Sequence, residues 1–198
     1  MSNSPKSEFA PRQFPREIHS RSSKTPGQPP NLNIRKIISG GQTGADRAGL
    51  DFGLANLIPI GGWCPKGRRA EDGVVPARYP LTEHPAYSYQ PRTIQNVQEA
   101  GFTVIFARAP LSPGSRFTLN QCQRLGKRHV WLRNFPDAEA DAKLLRVALQ
   151  MFDGVLNVAG SRESKCPGIH QHVLRVLQLA IERPAPQPKP SRALAAPS

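Results

Sequence analysis

The sequence predicts a three-layer α/β fold, a mostly parallel β-sheet flanked by helices. Three observations predict it. Short runs rich in isoleucine, valine and phenylalanine alternate along the chain with stretches whose apolar residues recur at helical spacing. The clearest runs are apolar almost throughout, as expected of strands covered on both faces. Glycines or prolines separate one segment from the next, leaving connections that suit strand–helix–strand units.

The elements follow in order. Ile34–Ser39 (IRKIIS) reads as a first strand, ended by Gly40 and Gly41. Ala45, Ala48, Phe52 and Ala55 then recur at helical spacing, with Leu50, Leu54 and Leu57 on an adjoining stripe, so this helix packs on more than one side. Ile58–Gly62 reads as a second brief strand. Residues 64–92 are polar and broken by proline, which predicts a long irregular loop, usually either disordered or functional. Thr93 is placed to cap a short helix whose Ile94 and Val97 face inward, stopped by Gly101. Phe102–Ala107 (FTVIFA) is the plainest strand. A turn at Leu111–Ser115 leads into a helix running to Leu125 and stopped by Gly126. His129–Leu132 is a strand, and Asp137 caps a helix carrying Leu144, Leu145, Ala148, Leu149 and Phe152. Val155–Ala159 is the last strand, and Ile169, Val173, Val176, Leu177 and Ala180 mark the last helix. Right-handed crossovers between parallel strands give a Rossmann-like architecture.

Composition sets the limits of this domain. The 198 residues carry only 38% hydrophobic side chains, with 21 prolines and 16 glycines. Residues 1–33 and 184–198 lack aliphatic periodicity and are proline-rich. They read as a basic and a Pro-rich disordered tail around a domain at 34–183. Of the net charge of +13, the tails hold +3 and +2, leaving +8 on the domain. Such a domain favours anionic partners, scattered arginines on a solvated surface being the alternative. No basic stripe interleaved with aromatics and no nucleic-acid reading module is present, so nucleic acid is not the expected partner. Cys64, Cys122 and Cys166 show no CxxC spacing, a pattern of reducing compartments. No apolar run reaches membrane-spanning length and no secretory hydrophobic segment stands at the N-terminus, so a cytoplasmic protein without membrane partners is expected.

Three loops hold the candidate binding residues. Gly40, Gly41, Gln42, Thr43, Gly44, Asp46 and Arg47 lie between the first strand and first helix, where glycines permit a tight turn and free amides suit an anion. The spacing matches neither a Walker A loop nor G-x-G-x-x-G, so a dinucleotide cofactor is not implied. Asp46 and Arg47 are placed either to touch a ligand or to cap and pair locally. Gly114, Ser115 and Thr118 open another helix and offer a second nest of donors. Arg162, Glu163, Ser164 and Lys165 follow the last strand. Arg162 and Lys165 suit a phosphate, while Glu163 and Ser164 suit either a ligand or a local cap. Lys66, Arg68, Arg69, Glu71 and Asp72 of the long loop are placed to close over a bound anion. Cys64 and Cys166 lie in these loops as ordinary thiols, a metal or redox pair being the alternative. The five histidines show no zinc-site spacing with cysteine, and no metal site is expected. No motif designates a catalytic acid, base or nucleophile.

The stretches ISGGQTGADRAGLDF, GGWCPKGRRAEDGVVPARYPL and VLNVAGSRESKCPGI, in this order, resemble the molybdenum carrier protein family, the circularly permuted YpsA-type branch of the SLOG superfamily. The resemblance spans about Ile34–Ile181. It implies a Rossmann-like fold and a pocket for a phosphate-bearing ligand, either the molybdenum cofactor or a nucleotide-derived molecule, in a homo-oligomer. Related phosphoribohydrolases carry a Gly-Gly-x-Gly-Thr-x-x-Glu stretch with a catalytic glutamate. Here the comparable residues read Pro113-Gly114-Ser115-Arg116-Phe117-Thr118 and that glutamate is missing. The resemblance therefore implies a non-catalytic carrier ahead of the alternatives, a nucleotide-processing hydrolase or a nucleotide-signal sensor.

Overall fold

The computed structural model describes residues 32–181. The two tail assignments fall outside them, apart from Leu32 and Asn33. The first strand, β1 (Asn33–Ile38), starts at Asn33, whose amide donates to the Phe152 carbonyl at 2.8 Å. Helix α1 (Ala45–Ala55) follows, then β2 (Ile60–Gly61). Four two-residue strands come next: β3 (Trp63–Cys64), β4 (Arg69–Ala70), β5 (Gly73–Val74) and β6 (Thr82–Glu83). The remainder alternates as α2 (Tyr89–Glu99), β7 (Phe102–Phe106), α3 (Pro113–Arg124), β8 (His129–Leu132), α4 (Ala138–Ala148), β9 (Asp153–Gly160) and α5 (Ile169–Ile181).

The main sheet has the order β2-β1-β9-β7-β8, with every pairing parallel. Counted from β9, the order across the sheet becomes 3-2-1-4-5, that of a doubly wound fold. The last strand in sequence therefore occupies the first position of the architecture, and β1 and α5 hold the ends of a circular permutation. Helices α1 and α4 pack on α5 over one face, and α2 packs on α3 over the other.

Side-chain alternation along β9 divides the two faces. Leu156 and Val158 enter the main core with Ile37, Phe52, Phe106, Leu145 and Leu177. Asn157 and Ala159 point to the other face, where they line a cavity instead of a packed core. Caps fall where the sequence indicates: Asp137 Oδ1 accepts from the Ala140 amide at 2.9 Å, and Gly126 closes α3 at φ 61°.

Two expectations change. Helix α2 begins at Tyr89, four residues before Thr93, because Pro91 falls in its first turn, where no intrahelical amide is needed. The Thr93 hydroxyl donates back to the Tyr89 carbonyl at 2.9 Å. The segment after residue 63 is also ordered. Arg68 donates to the Val75, Leu81, Pro76 and Tyr79 carbonyls at 2.9–3.2 Å, winding the chain around one guanidinium. Beneath it Leu50, Cys64, Val75, Tyr79 and Leu81 form a second, smaller core. Among the described residues, no helix is long and apolar enough to cross a membrane.

Candidate functional site

In a doubly wound sheet, ligands bind beyond the carboxyl ends of strands where the chain's winding reverses. Here that position lies between β9 and β7. A cavity of about 860 Å³ opens there, within the usual range for small-molecule sites. The ends of β9, the starts of α2 and α3, and Arg69 of β4 contribute its walls.

Of the residues expected from sequence, Gln42, Asp46, Arg69, Gly114, Ser115, Thr118, Arg162 and Lys165 line this cavity. Those of the first loop arrive there by an unexpected route. Three of its amides, expected to be free for an anion, are spent within the protein. The Thr43 and Glu71 amides donate to Gln42 Oε1 at 3.0 and 2.8 Å, the Gln42 amide donates to Asp46 Oδ2 at 3.3 Å, and the Ala45 amide donates to the Ser161 carbonyl at 3.1 Å. Gln42, Thr43 and Ala45 are thus closed to a ligand at their amides, and it is the side chains of Gln42 and Asp46 that reach the cavity. Gly41 is buried against Leu81 and Val75 at φ 74°. A bulky residue there would strain the turn and enter the second core, so it cannot test ligand contact alone.

The other expected residues build the scaffold around the cavity. Arg47 forks onto Asp72 at 2.5 and 2.7 Å, and its Nε donates to the Gly41 carbonyl. Glu71 accepts from the Thr43 hydroxyl, and from the Ser164 hydroxyl and amide at 2.5 and 3.2 Å. Glu163 accepts from the Gly168 and His170 amides at the start of α5, so it is a local cap. Arg68 is the staple described above, and Lys66 lies 5.0 Å from the Tyr87 ring. Gly40 and Gly44 sit behind the wall. A Cβ on Gly40 would lie 1.6 Å from Arg92 Nη1, so the missing side chain leaves the guanidinium its place.

Glu71 and Asp72 at the tip of the β4–β5 hairpin therefore tie it to the first and last loops. Desolvation works against ionisation of Glu71, yet the hydrogen bonds from Ser164 and Thr43 outweigh it and hold the carboxyl below its ordinary value. A depressed carboxylate stabilises above its unfolded pKa, and the contribution is lost as pH falls through the folded one. Amide protection of residues 69–74 is accordingly expected to fall as pH drops below about 4.5, the ordinary glutamate value. In Glu71→Gln this acid-dependent loss should shrink. Identical hydrogen-exchange profiles for both proteins would remove Glu71 from the latch.

Sequence reasoning missed Tyr89, Arg92 and Asn157. Arg92 Nη1 lies 3.5 Å from Asp46 Oδ2, with both side chains largely buried. Burial pushes the Asp46 carboxyl above the ordinary aspartate value, against the opposing pull of Arg92. Asn157 donates to Thr103 Oγ1 at 3.3 Å across the β9–β7 pair. A lone polar residue inside the apolar run VLNVA was its readable signal. Tyr89 and Arg92 lay concealed because their segment did not read as helix. Among the described residues, two buried donors in the wall, Gln42 Nε2 and Arg92 Nε, have no partner.

The cysteines do not form a common site. Cys64 belongs to the second core and Cys166 to the main one, and burial raises both thiols. Among the described residues no group of three His, Cys, Asp or Glu side chains is placed to hold a metal ion.

Fold and cavity together define a circularly permuted, doubly wound α/β protein with a basic cleft at its switch point. The chain belongs to the circularly permuted YpsA SLOG family, whose model matches residues 37–181. It is similar to the crystal structure of a protein from Syntrophus aciditrophicus SB named "Putative molybdenum carrier protein". The two are 40% identical, the match covers 76% of this chain and 97% of that one, and the TM-score is 0.72. A search among curated proteins finds no match.

Proposed function

We propose that the cleft binds a phosphate-bearing, nucleotide-like small molecule and that the protein acts as a carrier. The observation that carries this reading is the wall itself. It presents Arg69, Arg92, Arg162 and Lys165 against a single carboxylate, beside the hydroxyls of Ser115 and Thr118 and the open backbone of Gly114. Guanidinium groups, hydroxyls and a helix N-terminus are the donors that phosphate selects. The family membership and the name of the Syntrophus protein support the same reading.

The molybdenum cofactor, a pterin with a terminal phosphate, is compatible with this donor set. The cavity is large enough for a ring, and the arginines suit the phosphate. The protein would grip the organic and phosphate parts through these residues. We take the working form to be a cytoplasmic homo-oligomer.

A second reading is favoured by Asp46. A buried carboxyl raised above its ordinary value, facing a nucleotide-sized cavity, suits a hydrolase that releases a base from its ribose phosphate. One experiment separates the two. The protein is purified natively under anaerobic, reducing conditions, and bound small molecules are identified by mass spectrometry with elemental analysis for molybdenum. A pterin phosphate with stoichiometric molybdenum supports the carrier. A nucleotide without metal calls for an assay of base release, which Asp46→Asn should abolish if the hydrolase reading holds. Protein that is empty and takes up neither nucleotide nor inorganic phosphate sinks both.

A further inference from the structure

Three guanidinium groups converge on one aromatic ring. The Cζ atoms of Arg162, Arg92 and Arg69 lie 5.1, 5.8 and 5.9 Å from the centroid of Tyr89. They come from three separate places, the loop after β9, the first turn of α2, and β4. A ring face attracts a cation by only about 0.5–2 kcal/mol, too little to neutralise three. Among the described residues, neither Arg69 nor Arg162 has a carboxylate within ion-pair distance, and Arg92 has only Asp46. With Lys165 the cavity wall holds four cations and one carboxylate, a net charge of +3. Like charges gathered on a partly desolvated wall repel one another, and a bound anion relieves that repulsion.

The amount of charge selects the anion. A phosphate monoester carries roughly −1.5 to −2 near neutral pH. It would leave part of the wall uncompensated. A terminal diphosphate adds a second ionised phosphate, about one further negative charge, and extends far enough to meet cations from more than one wall. Arg92 and Gln42 supply an independent indication. Gln42 is 5% exposed, its Oε1 accepts two amides, and its Nε2 has no partner among the described residues. Arg92 is locked against Gly40 and Asp46, with Nε likewise unpaired. Buried donors without a partner among the described residues and excess cations at Tyr89 are what an elongated polyanion needs.

We infer that the cleft is built for a ligand with a terminal diphosphate, of the nucleoside diphosphate class, in preference to a monophosphate. This rests on the phosphate-binding reading above. It makes Arg69 the specificity residue, because it is exposed and has no carboxylate partner among the described residues, whereas Arg92 is paired with Asp46. Calorimetric titration of the full chain at fixed ionic strength tests it with four probes: orthophosphate, pyrophosphate, AMP and ADP. The expected result is ADP at least about tenfold tighter than AMP, and pyrophosphate tighter than orthophosphate by a similar factor, the effect of an added charge-assisted contact. In Arg69→Ala the ADP-to-AMP ratio should fall toward one, and an unchanged ratio would remove Arg69 as the specificity residue. Equal affinities for AMP and ADP in the unaltered protein would overturn the inference and leave the phosphate-binding reading standing. Binding of none of the four would overturn both. NAD, whose bridging phosphates lack the extra charge, is expected to bind no better than AMP, and tighter binding of NAD than ADP would also overturn the inference.

Discussion

Alanine at position 160 is expected to destabilise the protein by about 3 kcal/mol, the upper part of the usual range for overpacking. Gly160 ends β9 opposite Phe106 of β7. A Cβ there would lie 2.1 Å from the Phe106 carbonyl oxygen, 2.8 Å from its carbon and 2.9 Å from Ala45 Cβ. These neighbours are backbone and a short side chain, so no rotamer change relieves the overlap. The two strands must separate, and the hydrogen bond from the Ser161 amide to the same carbonyl at 2.8 Å goes with them. Urea denaturation should show a lower midpoint with an unchanged slope. Gly114→Ala is the control, since nothing lies within 4 Å of a Cβ there and the residue is helical. A Gly160→Ala midpoint matching that of the control would mean that β7 and β9 do not approach as described.

Replacing Arg162 with alanine should weaken binding of a phosphate-bearing ligand by roughly 10- to 100-fold, the loss of about 1.5–3 kcal/mol expected for a charge-assisted contact. The fold should persist. The turn around Arg162 is held by its backbone, whose carbonyl accepts from the Lys165 and Cys166 amides at 3.1 and 3.0 Å. The side chain has no carboxylate partner among the described residues to strand. Arg162→Lys should recover part of the affinity, because it restores the charge without the planar fork. Unchanged ADP affinity in folded Arg162→Ala would exclude the loop after β9 from the site.

Sequence alone determined the alternation of strands and helices, several helix stops, and the three loops that gather at one edge of the sheet. These are local properties. A periodicity of two or of 3.6, a capping aspartate at 137 or a glycine at 126 is written within a dozen residues. The residues of the last loop were legible for the same reason, since Arg162 and Lys165 sit directly between a strand and a helix. The tertiary structure alone decided that β9 lies between β1 and β7, partners separated from it by 120 and about 50 residues. It also decided which donors stay free. The first loop looked like an open amide nest, but the side chains of Gln42 and Asp46 fold back onto its amides. The cationic wall depends on the same long-range packing, which carries Arg69, Arg92 and Arg162 from distant segments to one tyrosine. Periodicity reports which face of an element is apolar, whereas a binding site consists of the polar groups left unpaired once those faces have met.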